Sequence, residues 1–269
     1  MSTRVPDPID GASSSELAIA ANAAKRANDM TPLLLVLSVS GWAALAWMAL
    51  DMGHPLVQLA MPASSNWTAG NLLAIWSMWA IMMAAMMLPS AMPMVLAFTS
   101  TCRAAGERLR ASAFVGAYLL IWSGFSVAAA AMQWSLQAMN LLSPMIVSAS
   151  AGLTGTLLLI AGVYQFSPLK RTCLGHCRTP MASLIGGWRA GAYGGLVMGL
   201  RHGLFCLGCC WALMALLFVG GVMNLAWIAA LSVAAAIEKL APRGAAIARI
   251  LGYGLITAGA VRLLTPLMR

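Results

Sequence analysis

The chain has 269 residues, of which 61% are hydrophobic and 9% are charged, whereas soluble domains average about 45–50% apolar and about 25% charged residues. This composition excludes an ordinary soluble protein and predicts an all-α, polytopic helix bundle with the lipid bilayer as its surroundings. A net charge of +9 would suggest a nucleic-acid partner for a soluble protein. Membrane topology explains it here, so neither nucleic acid nor nucleotide is expected as a partner.

The first thirty residues are polar and include two prolines and a run of serines, which predicts a cytoplasmic tail that is disordered or weakly helical. Residues 31–269 are predicted to form a single transmembrane domain, because seven apolar segments approach the length of about 20 residues that crosses a bilayer. The sixth segment is short and the fifth is long, so six to eight spans are compatible with the pattern. The segments are Pro32–Leu50, Leu72–Phe98, Ser112–Met132, Met145–Phe166, Gly191–Val219, Leu225–Ile237 and Ala245–Leu264.

The charges between these segments predict their orientation, since lysine and arginine collect on the cytoplasmic side of membranes. Twelve basic residues lie in the N-terminal tail and after the second, fourth and sixth segments, whereas two, Arg262 and Arg269, lie at the opposite end. The N-terminus is therefore predicted to be cytoplasmic. The protein is expected in a bacterial inner membrane as a multi-pass protein.

Methionines repeat every four residues in the second segment, where Met78, Met82 and Met86 form a stripe on one helical face beside a second pair of methionines. Pro89 and Pro93 follow and are predicted to kink or break the helix and to free backbone carbonyls. Thioether sulfur is a ligand for copper(I), but methionine also fills gaps in helix bundles. Both interpretations of the stripe stay open.

The predicted cytoplasmic loop after the fourth segment carries Cys173, His176 and Cys177, which one helical turn would bring together. Two thiolates and one imidazole suit zinc as well as copper. Neighbouring lysine and arginine favour the thiolate form that binds metal, although they favour thiol reactivity equally. This loop is a predicted metal site.

The fifth segment carries Met198, His202, Cys206 and Cys210 at four-residue spacing, with Cys209 beside them, so that these side chains share one face of a helix. Ionisable groups are costly in hydrocarbon and usually mark a ligand site or a pathway. Soft sulfur selects copper(I) over hard cations such as magnesium and calcium. The stripe is therefore the main predicted metal site.

A glycine ladder runs through the same segment and predicts which face packs against another helix. Four glycines occupy every fourth position from 191 to 203, a repeated G-x-x-x-G pattern that lets two helix backbones approach closely. The thiol face lies to one side of this ladder and is predicted to point into the bundle.

Several of these motifs resemble a bacterial family of predicted metal-binding integral membrane proteins, a domain of unknown function whose members are sometimes labelled copper chaperones. The similar motifs are M-M-A-A-M-M-L-P at 82–89, Y-Q-F-S-P-L-K at 164–170 with the cysteines that follow, G-C-C-W at 208–211, M-N at 223–224 and E-K at 238–239. The resemblance covers most of the chain from the second segment onward, and it implies metal handling without a defined reaction. It also implies a further polar residue of unknown role, Glu238. The sulfur core that it supports consists of Cys173, Cys177, Cys206, Cys209 and Cys210.

The chain has no G-x-x-x-x-G-K-[ST] loop and no acidic residue at the centre of a predicted span, so neither an ATP-driven pump nor a carboxylate proton relay is expected. No catalytic triad is expected from its three histidines. The leading hypothesis is binding or relay of copper(I), with zinc as the other metal, for copper homeostasis or for metallation of a copper enzyme. Its partner would be a copper-accepting protein or a subunit of a membrane complex.

Two alternatives to metal binding stay open. One is a membrane thiol–disulfide oxidoreductase, because Cys206 and Cys209 have the C-x-x-C spacing that can cycle between dithiol and disulfide. The other is a non-catalytic assembly subunit, in which the glycine ladder packs against a partner helix. The leading hypothesis predicts that the protein is not an enzyme.

Overall fold

The computed structural model describes residues 14–62, 66–100, 107–143, 146–179 and 191–265. These ranges contain helices and no β-strand, so the all-α prediction is confirmed. The helices are α1 (Ser14–Leu50), α2 (Pro55–Ala60), α3 (Ala69–Ser100), α4 (Glu107–Ala138), α5 (Ala151–Tyr164), α6 (Pro168–Arg178), α7 (Gly191–Ala215), α8 (Leu217–Gly220), α9 (Leu225–Leu240) and α10 (Gly244–Leu264).

Five helical segments in the described ranges are long and apolar enough to cross a membrane, which is compatible with a multi-pass membrane protein. Helices α5 and α6 make a sixth candidate that is bent by 65°. The predicted count of about seven falls to five or six, because the sixth predicted segment forms α9, which has 16 residues. Such a helix is about 24 Å long, shorter than the hydrocarbon core of about 30 Å. The five segments are Thr31–Leu50, Ala69–Ser100, Leu109–Ala138, Gly191–Gly220 and Gly244–Leu264.

Helices occupy part of the predicted tail, which was expected to be disordered or weakly helical, and the predicted loop after the fourth segment. Helix α1 begins at Ser14, within the predicted tail, whereas residues 1–13 lie outside the described part of the chain. The predicted loop after the fourth segment forms α6, because the Ser167 side chain accepts a hydrogen bond from the backbone N–H of Lys170 at 3.0 Å and Pro168 takes the first helical position. Serine before proline is a favourable helix start, and it turns this segment back onto the bundle.

Helix α3 stays helical through Pro89 and Pro93, so the predicted break does not occur. A proline at position 89 cannot donate to the carbonyl of Ala85 four residues earlier. The indole Nε1–H of Trp42 on α1 donates to that carbonyl at 3.1 Å instead. A bilayer tolerates a freed carbonyl where protein covers it in this way.

The glycine ladder of α7 packs closely against another helix, as predicted, and the structure shows that this helix is α4. A Cβ added at Gly199 would lie 2.2 Å from the carbonyl oxygen of Phe114, and one at Gly195 would lie 2.3 Å from that of Arg110, so backbone meets backbone. Gly203 also faces α4, whereas the first glycine of the ladder has open space around it. Fixing this face of α7 against α4 directs the adjacent thiol face into the bundle.

Replacing Gly199 with alanine is expected to lower the free energy of unfolding by about 1–3 kcal/mol, the usual cost of overpacking. The physical reason is that the new methyl group would meet the Phe114 carbonyl, which belongs to a helix backbone and cannot move alone. The matched control is Gly116→Ala on α4, where an added Cβ has nothing within 4 Å. Unfolding in detergent micelles measures both variants, and equal stabilities would contradict the close packing of α4 and α7.

Candidate metal site

The three thiols of α7 lie in the interior of the bundle. Cys206, Cys209 and Cys210 are each 1% exposed. Together they contact four other helices: Cys206 contacts α4 and α9, Cys209 contacts α6 and Cys210 contacts α3. The prediction that the thiol face points into the bundle is confirmed.

Two further helices add sulfur atoms to these thiols. Cys177 on α6 places its Sγ 4.0 Å from the Sγ of Cys209, and Met87 on α3 places its Sδ 3.8 Å from the Sγ of Cys210. A third sulfur, from Cys173 on α6, lies against Gly208, where an added Cβ would be 2.7 Å from that Sγ. We call these six residues the sulfur cluster: Cys173, Cys177, Cys206, Cys209, Cys210 and Met87.

Lys239 on α9 directs its ammonium group into the sulfur cluster. Its Nζ lies 3.2 Å from the Sγ of Cys206 and 3.5 Å from the Sδ of Met87, and it donates to the Ser90 hydroxyl at 3.1 Å. The charge pattern placed Lys239 in a loop, whereas the structure places it in the last turn of α9, where it is 5% exposed. The ammonium supplies a positive charge that complements a thiolate, the form in which cysteine binds metal.

Tyr118 on α4 closes another side of Cys206. Its phenol shares a hydrogen bond with the Sγ of Cys206 at 3.2 Å and donates to the carbonyl of Met87 at 3.2 Å. Cys206 is therefore held between the phenol of Tyr118 and the ammonium of Lys239. These contacts join α4, α7 and α9 around one sulfur atom.

Glu238, the polar residue without a predicted role, joins α6 to α9. Its Oε2 lies 2.6 Å from the Nζ of Lys170, and its Oε1 accepts a hydrogen bond from Gln165 at 3.1 Å. Both charged side chains are 2% exposed, so Lys170 is also an interior residue and not the loop cation that the charge pattern predicted. The ion pair holds α6 in the position that brings Cys173 and Cys177 to α7.

Both candidate histidines pack against aromatic rings. The buried His202 ring packs beside those of Phe114 and Tyr118, with centroids 5.9 and 5.6 Å away. The His176 ring stacks on Phe205 at 3.9 Å. Cys173 and Cys177 thus share the face of α6 that meets α7, while His176 lies on another face, since successive helical residues point about 100° apart. Of the three residues that were predicted to lie together, only Cys173 and Cys177 do so.

The predicted methionine ligands lie elsewhere in the core. Met78, Met82 and Met86 are fully buried among apolar side chains, and Met198 is buried on α7. Within the described part of the chain, none of these four sulfur atoms forms a hydrogen bond to a thiol. The methionine that does so is Met87, from the neighbouring stripe of α3. The geometry favours the packing interpretation for the predicted stripe.

In the conformation described, the thiols do not form a complete ligand set. No group of three or more histidine, cysteine, aspartate or glutamate side chains in the described ranges is arranged to hold a metal ion. Cys209 and Cys210 instead donate their S–H groups to the carbonyl of Cys206 at 3.1 and 2.9 Å. Rotation about one side-chain bond in each residue would release these thiols.

The chemistry of the donors nevertheless fits a soft ion. A zinc–sulfur bond is about 2.3 Å long, so two sulfur atoms 4.0 Å apart, as in Cys177 and Cys209, can share one ion of similar size. The cluster offers thiols and a thioether, and the nearby carboxylate of Glu238 is paired with Lys170. Sulfur-only donors suit copper(I) better than they suit magnesium or calcium.

The sequence patterns did not predict Lys239 and Tyr118 as members of the site. Lys239 follows Glu238 at the end of a short apolar segment, which is the usual pattern of a loop. Tyr118 stands alone in an apolar run. Their shared partner is Cys206 on a third helix, and no local pattern indicates such a contact.

The fold and the site together define a class: a helical protein with several membrane-span candidates and a buried cluster of thiols and a thioether. A family model described as PpoB2, copper chaperone, matches residues 76–262. Because the match covers well over half of the chain, the protein belongs to this family, which indicates a copper-related role. Comparison with curated proteins and with solved structures finds no match.

Proposed function

We propose that the protein binds copper(I) in the sulfur cluster and passes it to a copper-accepting protein at the bacterial inner membrane. The observation that carries the proposal is the meeting of sulfur atoms from α3, α6 and α7 in the bundle interior. Membership of a copper chaperone family supports copper as the cargo. Metallation of a copper enzyme or copper homeostasis would be the outcome of the transfer.

The contacts around Cys206 suggest how the cluster receives a cation. The ammonium of Lys239 lies beside Cys206 and Met87, where it is the cationic partner of the sulfur atoms. A copper(I) ion entering the cluster takes over these contacts, and each thiol that binds it releases a proton. The lysine ammonium then keeps its hydrogen bond to Ser90.

Differences in exposure indicate where the ion passes into or out of the cluster. Cys177 is partly exposed, whereas Cys206, Cys209 and Cys210 are buried. Cys177 is also the thiol that contacts Cys209. We therefore propose Cys177 as the first or last sulfur on the route of the ion.

Protein purified from membranes and loaded anaerobically with copper(I) is expected to retain copper through gel filtration, while a variant with serine at 206, 209 and 210 retains none above background. Elemental analysis measures the metal content, with zinc measured in the same samples. A variant with alanine at the same three positions tests whether the hydroxyl groups of the introduced serines affect copper retention. Met132→Leu, which removes an exposed sulfur on α4, is the control and should retain copper fully. Equal copper in the wild-type and triple variants would refute the proposal.

A thiol–disulfide function is the second candidate, and one distance favours it. The sulfur atoms that lie 4.0 Å apart belong to Cys177 and Cys209. The sequence-based hypothesis paired Cys206 with Cys209, but the Sγ of Cys206 is engaged by Tyr118 and Lys239. A redox function would therefore use the pair that joins α6 to α7.

A further inference from the structure

A cavity of about 680 Å³ opens where α6 meets the first turns of α10. It lies on the side of α6 opposite the sulfur cluster and takes no part in the copper proposal. Phe166, Leu174 and Ala248 form its apolar wall, and Arg171, Arg178 and Arg249 form its polar wall. The cavity thus combines an apolar surface with three guanidinium groups.

The charge of the cavity is strongly positive. None of the described residues that line it is acidic, and its one lysine is already paired with Glu238. Arg178 is fixed by donating from Nη2 to the carbonyl oxygens of Ala241 and Pro242, the first at 2.8 Å. Arg171 and Arg249 are exposed and point to no carboxylate within 4 Å in the described ranges. The lining is therefore complementary to an anion.

A buried hydrogen-bond acceptor in the cavity, the side-chain oxygen of Gln165, indicates that the ligand also carries a hydrogen-bond donor. Gln165 lines the cavity and is 3% exposed, and its Oε1 has no hydrogen-bond partner among the described residues. Its amide Nε2 donates to Glu238, which fixes the oxygen as the free end. An unsatisfied buried acceptor is costly, so a fitting ligand would offer a hydroxyl donor as well as a negative charge.

The N-terminus of α10 also favours an anionic ligand in the cavity. Ala245, in the first turn of this helix, lines the cavity. In the part of the chain that the structure describes, α10 begins without a side-chain cap. The N-terminus of a helix favours anions through its free N–H groups and its dipole.

The apolar end of the cavity adjoins an exposed surface of α10 that is rich in large apolar and aromatic side chains. The ring of Phe166 contacts that of Tyr253 on α10 with centroids 4.9 Å apart. Tyr253 and Ile250 are 66% and 70% exposed on a helix long and apolar enough to cross a membrane. The basic residues at this end also mark the predicted cytoplasmic side, where anionic lipids concentrate.

We propose that this cavity binds the headgroup of an anionic phospholipid that carries free hydroxyl groups, as phosphatidylglycerol does. The phosphate lies between Arg171 and Arg249 at the start of α10, and a headgroup hydroxyl donates to the Oε1 of Gln165. The acyl chains follow the exposed face of α10 along Ile250 and Tyr253. The bound lipid bridges α6 and α10 from outside the bundle.

Native mass spectrometry of the delipidated full-length protein tests this site with added phosphatidylglycerol, phosphatidylethanolamine or inorganic phosphate. Phosphatidylglycerol is expected to bind about tenfold more tightly than phosphatidylethanolamine, because each arginine near a lipid surface favours an anionic headgroup. Arg171→Gln with Arg249→Gln should abolish the preference. Arg262→Gln, which removes an exposed arginine at the other end of α10, is the matched control and should keep it.

A variant that fills the cavity distinguishes the effect of its space from the effect of its charges. Gly175 lines the cavity, and a Cβ added there has nothing within 4 Å, so Gly175→Leu fills the space while all three arginines remain. This variant should lose the bound phosphatidylglycerol. The proposal is overturned if Gly175→Leu binds phosphatidylglycerol as the unmodified protein does, or if phosphatidylglycerol and phosphatidylethanolamine bind equally. It is also overturned if inorganic phosphate or a polyglutamate peptide displaces phosphatidylglycerol at equal concentration.

Discussion

Replacing Glu238 with glutamine is expected to lower the free energy of unfolding by about 3–5 kcal/mol, the cost of leaving one charge of a buried ion pair without its partner. The pair qualifies as buried because Lys170 and Glu238 are both 2% exposed and their charged atoms lie 2.6 Å apart. The glutamine retains the shape of the side chain but leaves the ammonium of Lys170 uncompensated. Unfolding by SDS titration in mixed micelles measures the loss.

Two further variants isolate the cause of this loss. Asp51→Asn removes an exposed carboxylate and should change the stability little. Lys170→Met combined with Glu238→Gln removes both charges and should recover most of the stability, because an apolar replacement of a buried pair is often neutral. If Glu238→Gln is as stable as Asp51→Asn, the ion pair does not hold α6 to α9.

Oxidation of the metal-free protein with diamide is expected to join Cys177 to Cys209 and to abolish copper(I) uptake. The two thiols give up two protons and two electrons to diamide and form one disulfide. Their sulfur atoms lie 4.0 Å apart and must approach to about 2.0 Å, a change that side-chain rotation and a small shift of α6 can supply. Both sulfur atoms are then unavailable to the ion, and reduction should restore uptake.

Digestion with trypsin identifies which cysteines form the disulfide. Cleavage after arginine and lysine separates the peptide 172–178, which contains the α6 thiols, from the peptide 202–239, which contains the α7 thiols. A disulfide between Cys177 and Cys209 links the two peptides, and Cys177→Ser should abolish the link while Cys206→Ser preserves it. A disulfide found inside peptide 202–239 would instead support the redox pair Cys206 and Cys209 that the C-x-x-C spacing suggested.

Features that act within one helix were predictable from the sequence. The high apolar content indicated a helical membrane protein, since a spanning helix satisfies its own backbone hydrogen bonds. The four-residue spacing of the glycines indicated the face of α7 that packs closely, and the position of Cys206 and Cys210 beside them indicated a buried thiol face. Periodicity shows these faces because it depends only on the geometry of a single helix.

Features that join two helices were not predictable. The S-P signal at 167–168 could have indicated the start of α6, but the polar residues that follow favoured a loop. The fold of α6 back onto α7 depends on Glu238, which lies 68 residues beyond Lys170 along the chain. Counting charges placed Lys170 and Lys239 in loops for the same reason, since their buried partners are distant in the sequence.

The sequence alone therefore determined the class of protein and the helix that carries the buried thiols. Only the tertiary structure decided which sulfur atoms meet, that Met87 contacts the thiol of Cys210, and that Lys239 lies among them. The physical reason is that a helix face follows from local geometry, whereas a site between helices depends on their mutual packing. That packing is decided by a few buried charges and close glycine contacts.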